Sequence, residues 1–67
     1  MRPGDLRRFK MTKNTYDSFH ARMVGKCFVI VRVYGGGWID ILVDGVIDEG
    51  WGMSFLLTYT EAIDEAG

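Results

Sequence analysis

The sequence predicts an all-β domain: five short strands forming a small barrel or sandwich, with a long loop after the first strand. Three observations carry that reading. Residues 26–34 and 38–43 show the two-residue alternation of strands and are rich in β-branched and aromatic side chains. Glycine-rich turns recur at hairpin spacing, and no segment shows the apolar period of a long helix. The chain has 67 residues, and closing so small a sheet into a barrel is the way to remove its unpaired edges. One domain fits this length, and it buries only about 60% of the surface exposed by the unfolded chain.

The elements follow in order. Pro3-Gly4-Asp5 leads into a first strand over residues 6–11, whose alternation is interrupted by the adjacent Arg7 and Arg8. Residues 12–25 are polar and end in Gly25, which predicts a long loop with at most a short helical turn. In the strand over 26–34, Cys27, Val29, Val31 and Val33 form a uniformly apolar row, expected to face the core. Phe28 and Ile30 then fall on the outer face. Three consecutive glycines, 35–37, turn the chain into the strand over 38–43, with Ile39, Ile41 and Val43 inward and Trp38, Asp40 and Leu42 outward. Asp44-Gly45 is a type I′ hairpin signal, and residues 46–51 return as the next strand. Ser54-Phe55-Leu56 fits a 3₁₀ turn and residues 57–60 a last strand. A helix over 59–65 competes, since Thr58 and Glu61 have capping-box spacing. The domain is therefore drawn as residues 1–60, followed by an acidic tail over 61–67.

Charge is polarised along the chain. Residues 1–34 hold all eight basic groups and two acids, net +6, whereas residues 35–67 hold seven acids and no base, net −7. Such asymmetry marks either a partner surface or neutralisation between neighbouring strands. Separation of the two signs onto opposite ends of the fold is the expectation carried forward. The longest unbroken apolar run, residues 27–31, is far short of the roughly 20 residues of a bilayer span, and no signal segment is expected. A single cysteine allows no internal disulfide and fits a reducing compartment.

Sites for chemistry are sparse. His20 and Ser18 lie two residues apart in the long loop, but no third group converges on them as nucleophilic catalysis requires. Cys27, on the row expected to face the core, reads as a buried thiol. Asp40, Asp44 and Gly45 mimic part of a calcium loop, but Leu42 and Trp51 occupy ligand positions, which excludes it. The triple glycine lacks the Lys-Ser/Thr of a phosphate loop. No enzyme activity, cofactor or metal is expected.

Two constellations remain. Arg2, Arg7, Arg8, Lys10 and Lys13, interleaved with Phe9 and Tyr16, have the composition of a contact to nucleic acid or an acidic partner. The sequence pI of about 5.6 weighs against a dedicated nucleic-acid binder. Phe28, Ile30, Tyr34, Trp38 and Leu42 form the expected outer apolar face of one hairpin, the composition of a protein interface unless the long loop or the C-terminal segment covers it.

Several short motifs resemble small SH3-like barrels, including KOW-type modules and short tailed-phage proteins. Met1-Arg2-Pro3-Gly4-Asp5-Leu6 is similar to their "PGDLV" opening, and Gly25-Lys26-Cys27-Phe28-Val29-Ile30 to their "GKxGVVV" second strand. The run from Trp38 to Gly45 is similar to their "WVxVLWDG" hairpin, and Ser54-Phe55-Leu56 to the Ser-x-Leu turn before their last strand. Arg7 replaces a usually apolar residue and Phe28 the second glycine of the turn, so the likeness is to the broader phage-type group rather than to KOW modules. The resemblance implies a five-stranded SH3-like barrel. It further implies a non-enzymatic protein-binding or assembly module, either a virion-docking component or a host-interacting factor, in the virion or host cytoplasm. Its partner would be another protein or a homo-oligomer, not a membrane. The alternative function is a nucleic-acid-binding SH3-like module.

Overall fold

A computed structural model describes residues 1–11 and 18–63, residues 18–20 by their backbone only. The elements are β1 (Leu6–Phe9), α1 (Ser18–Met23), β2 (Cys27–Val33), β3 (Trp38–Val43), β4 (Val46–Gly52), α2 (Met53–Tyr59) and β5 (Thr60–Ala62). The five strands form one antiparallel sheet in the order β4-β3-β2-β1-β5. The two glycine hairpins build the β2-β3-β4 meander, and the chain then crosses back to lay β5 beside β1. The sheet stays open, with β4 and β5 at its edges. The reason lies in the crossing. The turn expected over 54–56 extends into the seven-residue α2, leaving three residues for β5, and these pair with β1 alone. The last strand is thus Thr60–Ala62 rather than 57–60, and it takes in the first residues assigned to an acidic tail. Thr58, read as a cap, instead donates its hydroxyl back to the Ser54 carbonyl at 2.9 Å.

The Asp44-Gly45 turn has the geometry that its residues favour. Both φ angles are positive, 52° and 77°, as a type I′ turn requires, and the turn pairs Val43 with Val46. Lys26 closes an ion pair to Asp44 across it.

The core comprises Phe9, Phe28, Ile30, Ile39, Ile41, Val43 and Leu56. Ile39, Ile41 and Val43 face inward as their alternation predicts. In β2 the assignment of faces is reversed: Phe28 and Ile30 are 1% and 0% exposed, whereas Val31 is 36% exposed and Cys27 is also exposed. Two physical causes act together. Up to Val31 both rows of β2 are apolar, so alternation alone does not choose between them there, and the larger Phe28 ring finds Phe9 at a centroid distance of 4.8 Å. A β-bulge then shifts the β2–β3 pairing between Ile30 and Arg32. It brings Val33 inward opposite Ile39 while Val29 stays outward opposite Leu42.

Arg7 is half-buried on the core side of β1. Its Nε donates to Thr60 Oγ1 at 2.8 Å and its Nη2 to the Thr60 carbonyl at 3.1 Å. Thr60 is buried and passes its own hydroxyl proton toward the Leu56 carbonyl. A guanidinium in this position therefore ties β1 to β5 and to the end of α2.

Candidate functional site

Side chains directly opposite one another in a sheet share a face. On the face away from the core, Leu6 stands opposite Val29, Val29 opposite Leu42, and Leu42 opposite Ile47. Ile63, just beyond β5, donates its amide to the Leu6 carbonyl at 3.1 Å, so the backbone ladder continues to the far side of the sheet. The resulting row is apolar across β1 to β4 and becomes more exposed toward β4. Leu6 and Val29 are half-buried, Leu42 is 37% exposed and Ile47 is 52% exposed.

A polar row lies beside it. Arg32 on β2 stands opposite Asp40 on β3. Alternation from Ile47 carries Glu49 to the same face of β4, where it is exposed. Asp40 is buried although it belongs to this outer face. Its Oδ2 accepts the Tyr34 hydroxyl at 2.6 Å and its Oδ1 the Gly50 amide at 3.1 Å. Gly50 has φ +81°, and the β3–β4 pairing shifts between Ile39 and Ile41. The carboxylate thus satisfies an amide at a β4 irregularity that only glycine enters without strain. The hydrogen bond to Asp40 raises the Tyr34 phenol above its ordinary range, against the opposing influence of Arg32. The Arg32 guanidinium carbon sits 5.8 Å from the Tyr34 ring centroid. Beyond these rows Trp38, opposite Gly52, is 56% exposed.

The structure divides the expected interface set. Tyr34, Trp38 and Leu42 are exposed as expected, but Phe28 and Ile30 belong to the core for the reasons given above. Leu6, Val29, Val31 and Ile47 take their places on the outer face, flanked by Arg32 and Glu49. Ile47 was legible: a two-residue Asp-Gly loop pairs 43 with 46 and therefore 42 with 47.

The basic set is dispersed. Arg7 is engaged by Thr60 and Phe9 lies in the core. Arg8 pairs with Glu61 at 2.7 Å, while Arg2 and Lys10 are exposed. Lys13 and Tyr16 lie outside the described residues, as do the side chains of Ser18 and His20. The expected separation of charge also fails at two places, because Arg8–Glu61 and Lys26–Asp44 each join the basic half of the chain to the acidic half. The strand order explains the first of these: β1 lies directly beside β5.

The Arg8 hydrogen bond and charge hold the Glu61 carboxyl below its ordinary range, and Glu61 raises Arg8 in return. A depressed carboxyl stabilises the fold above its unfolded pKa, and that contribution disappears as pH falls through the lower folded value. An NMR titration is expected to place Glu61 below a free glutamate and to return it to the ordinary range in Arg8→Gln. An unchanged titration in the variant would remove Arg8 as the cause.

Among the described residues, no group of three His, Cys, Asp or Glu side chains is placed to hold a metal ion, and no helix is long and apolar enough to cross a membrane. Comparison with family models, curated proteins and solved structures finds no match in any of the three.

Proposed function

We propose that this chain is a non-enzymatic protein-binding or assembly module of SH3-like kind, acting through the outer face of its sheet. The observation that carries the reading is the apolar row Leu6–Val29–Leu42–Ile47, exposed at its β3 and β4 end and continued by Val31 and Trp38. A contiguous apolar face rimmed by polar groups is a surface made for contact with protein. Support for the SH3-like part comes from the meander β2-β3-β4, from the first strand lying between the second and the last, and from the helical segment before the last strand. A virion-docking or host-interacting role extends the same reading through the resemblance to short tailed-phage proteins. The nucleic-acid alternative is disfavoured because Arg7 and Arg8, its central residues, are committed to Thr60 and Glu61.

Site-specific photo-crosslinking tests the proposal. A crosslinkable residue at Leu42 or Ile47, introduced into the chain in its native source, is expected to yield protein adducts of discrete mass. The same residue at the exposed Ser54 on α2 is expected to yield none. Equal labelling at all three positions, or none at any, would overturn the reading.

A further inference from the structure

The outer face carries opposite charges in a self-complementary arrangement, and we infer that its occupant is a second copy of this chain, packed face to face about a two-fold axis along β3. The inference rests on the protein-binding reading above and specifies its partner.

Arg32 and Glu49 lie on the polar row that crosses β3 at Asp40, one on β2 and the other on β4. A two-fold axis parallel to β3 exchanges left and right while keeping height along the strand. It therefore sets β2 of one copy over β4 of the other. Arg32 then faces Glu49 of the second copy, twice by symmetry, as an isologous interface requires. The same operation sets Val29 over Ile47 and Leu42 over its own symmetry mate. Both members of the charged pair are exposed, and Glu49 makes no hydrogen bond or ion pair among the described residues. Stacked sheets lie about 10 Å apart, a gap that an arginine and a glutamate together span. Apolar residues thus meet apolar ones and Arg32 meets Glu49, while Asp40, which faces its own mate across the axis, is buried with its oxygens held by the Tyr34 hydroxyl and the Gly50 amide. No other rotation in the plane of the face gives both results, since an axis across the strands would place Arg32 against the β2 strand of its mate.

The contact is small. Three strands about 4.8 Å apart and about six residues long present a patch of roughly 14 by 20 Å. That lies below the standard interface of about 800 Å² per partner, so the contact belongs with weak, transient associations.

Sedimentation of the purified chain from about 10 μM to about 1 mM tests it. The expected result is a reversible monomer–dimer equilibrium. Arg32→Glu or Glu49→Arg alone turns two attractive pairs into repulsive ones and weakens the dimer at least about tenfold. The double exchange Arg32→Glu with Glu49→Arg restores it. Leu42→Asp, which replaces the apolar contact on the axis by two exposed carboxylates, abolishes it. Circular dichroism and melting verify that each variant is folded, and if Arg32→Glu fails to fold, Glu49→Arg and Leu42→Asp carry the test. A wild-type chain that stays monomeric throughout overturns the inference, as does a dimer unaffected by Glu49→Arg and Leu42→Asp. Crosslinks from position 42 separate this from the broader reading. Adducts of twice the chain mass support the second copy, whereas adducts of another mass keep the protein-binding reading and overturn the second copy.

Discussion

Phe28→Ala is expected to unfold this domain. Phe28 is 1% exposed and packs against Phe9 in the core, which comprises seven of the described residues. Truncating a buried phenylalanine costs about 3–5 kcal/mol, the lost transfer energy plus a cavity term. A domain of this size has a stability of only about 5 kcal/mol, so little remains. Ile39→Ala and Ile41→Ala, both fully buried, are expected to lose about 2–5 kcal/mol each. Val31→Ala, on the same strand as Phe28 but 36% exposed, is expected to lose at most about 1 kcal/mol. Urea denaturation of the four variants checks the ordering. The comparison between Phe28 and Val31 is the decisive one, because the opposite assignment of faces on β2 predicts the reverse. A Val31 variant that unfolds while Phe28→Ala remains native would mean that β2 presents its other face to the core.

The second large effect is expected at Asp40. Removing its carboxylate leaves the Gly50 amide and the Tyr34 hydroxyl without their acceptor in a part-buried site. Losing two hydrogen bonds to a charged group in a part-buried site costs about 2–4 kcal/mol. Asp40→Ala is therefore expected to lower stability by that amount. Tyr34→Phe is expected to cost about 1 kcal/mol, because it leaves the Gly50 contact in place. In a double-mutant cycle the two changes are expected to be less than additive, since they remove the same bond. Additive losses would show that the Tyr34 hydroxyl and Asp40 act independently. Hydrogen exchange supplies a second measurement. The Gly50 amide is expected to be protected in the parent and to exchange faster in Asp40→Ala, which ties the effect to the β4 irregularity rather than to general loosening.

The β3 strand was legible to the residue, because one of its rows is wholly aliphatic and the other contains an aspartate, so only one row is suited to the core. The Asp44-Gly45 hairpin was equally legible, since few sequences adopt two successive positive φ angles readily. The face of β2 was not legible. Cys27, Val29, Val31 and Val33 form as consistent an apolar row as Phe28 and Ile30, and a period of two has no phase of its own. Phase comes from partners: Phe9 across β1 and Ile41 across β3. The bulge at Val31 then breaks the count within the strand.

The candidate site was half legible for the same reason. Trp38 and Leu42 were found from β3, and Tyr34 from the even row of the strand over 26–34. Leu6 and Val29 required the register of β1 against β2, a pairing between segments some twenty residues apart. The commitments of Arg7 and Arg8 were likewise out of reach, because their partners Thr60 and Glu61 are 53 positions away. The sequence by itself determined that this is a small β domain of glycine-linked strands, since turn chemistry and side-chain alternation are local properties of the chain. Only the tertiary structure decided which face of β2 is the core, that Asp40 is a buried acceptor, and that the sheet remains open. Each of those depends on which strand lies beside which, and strand neighbours are chosen by packing between distant segments.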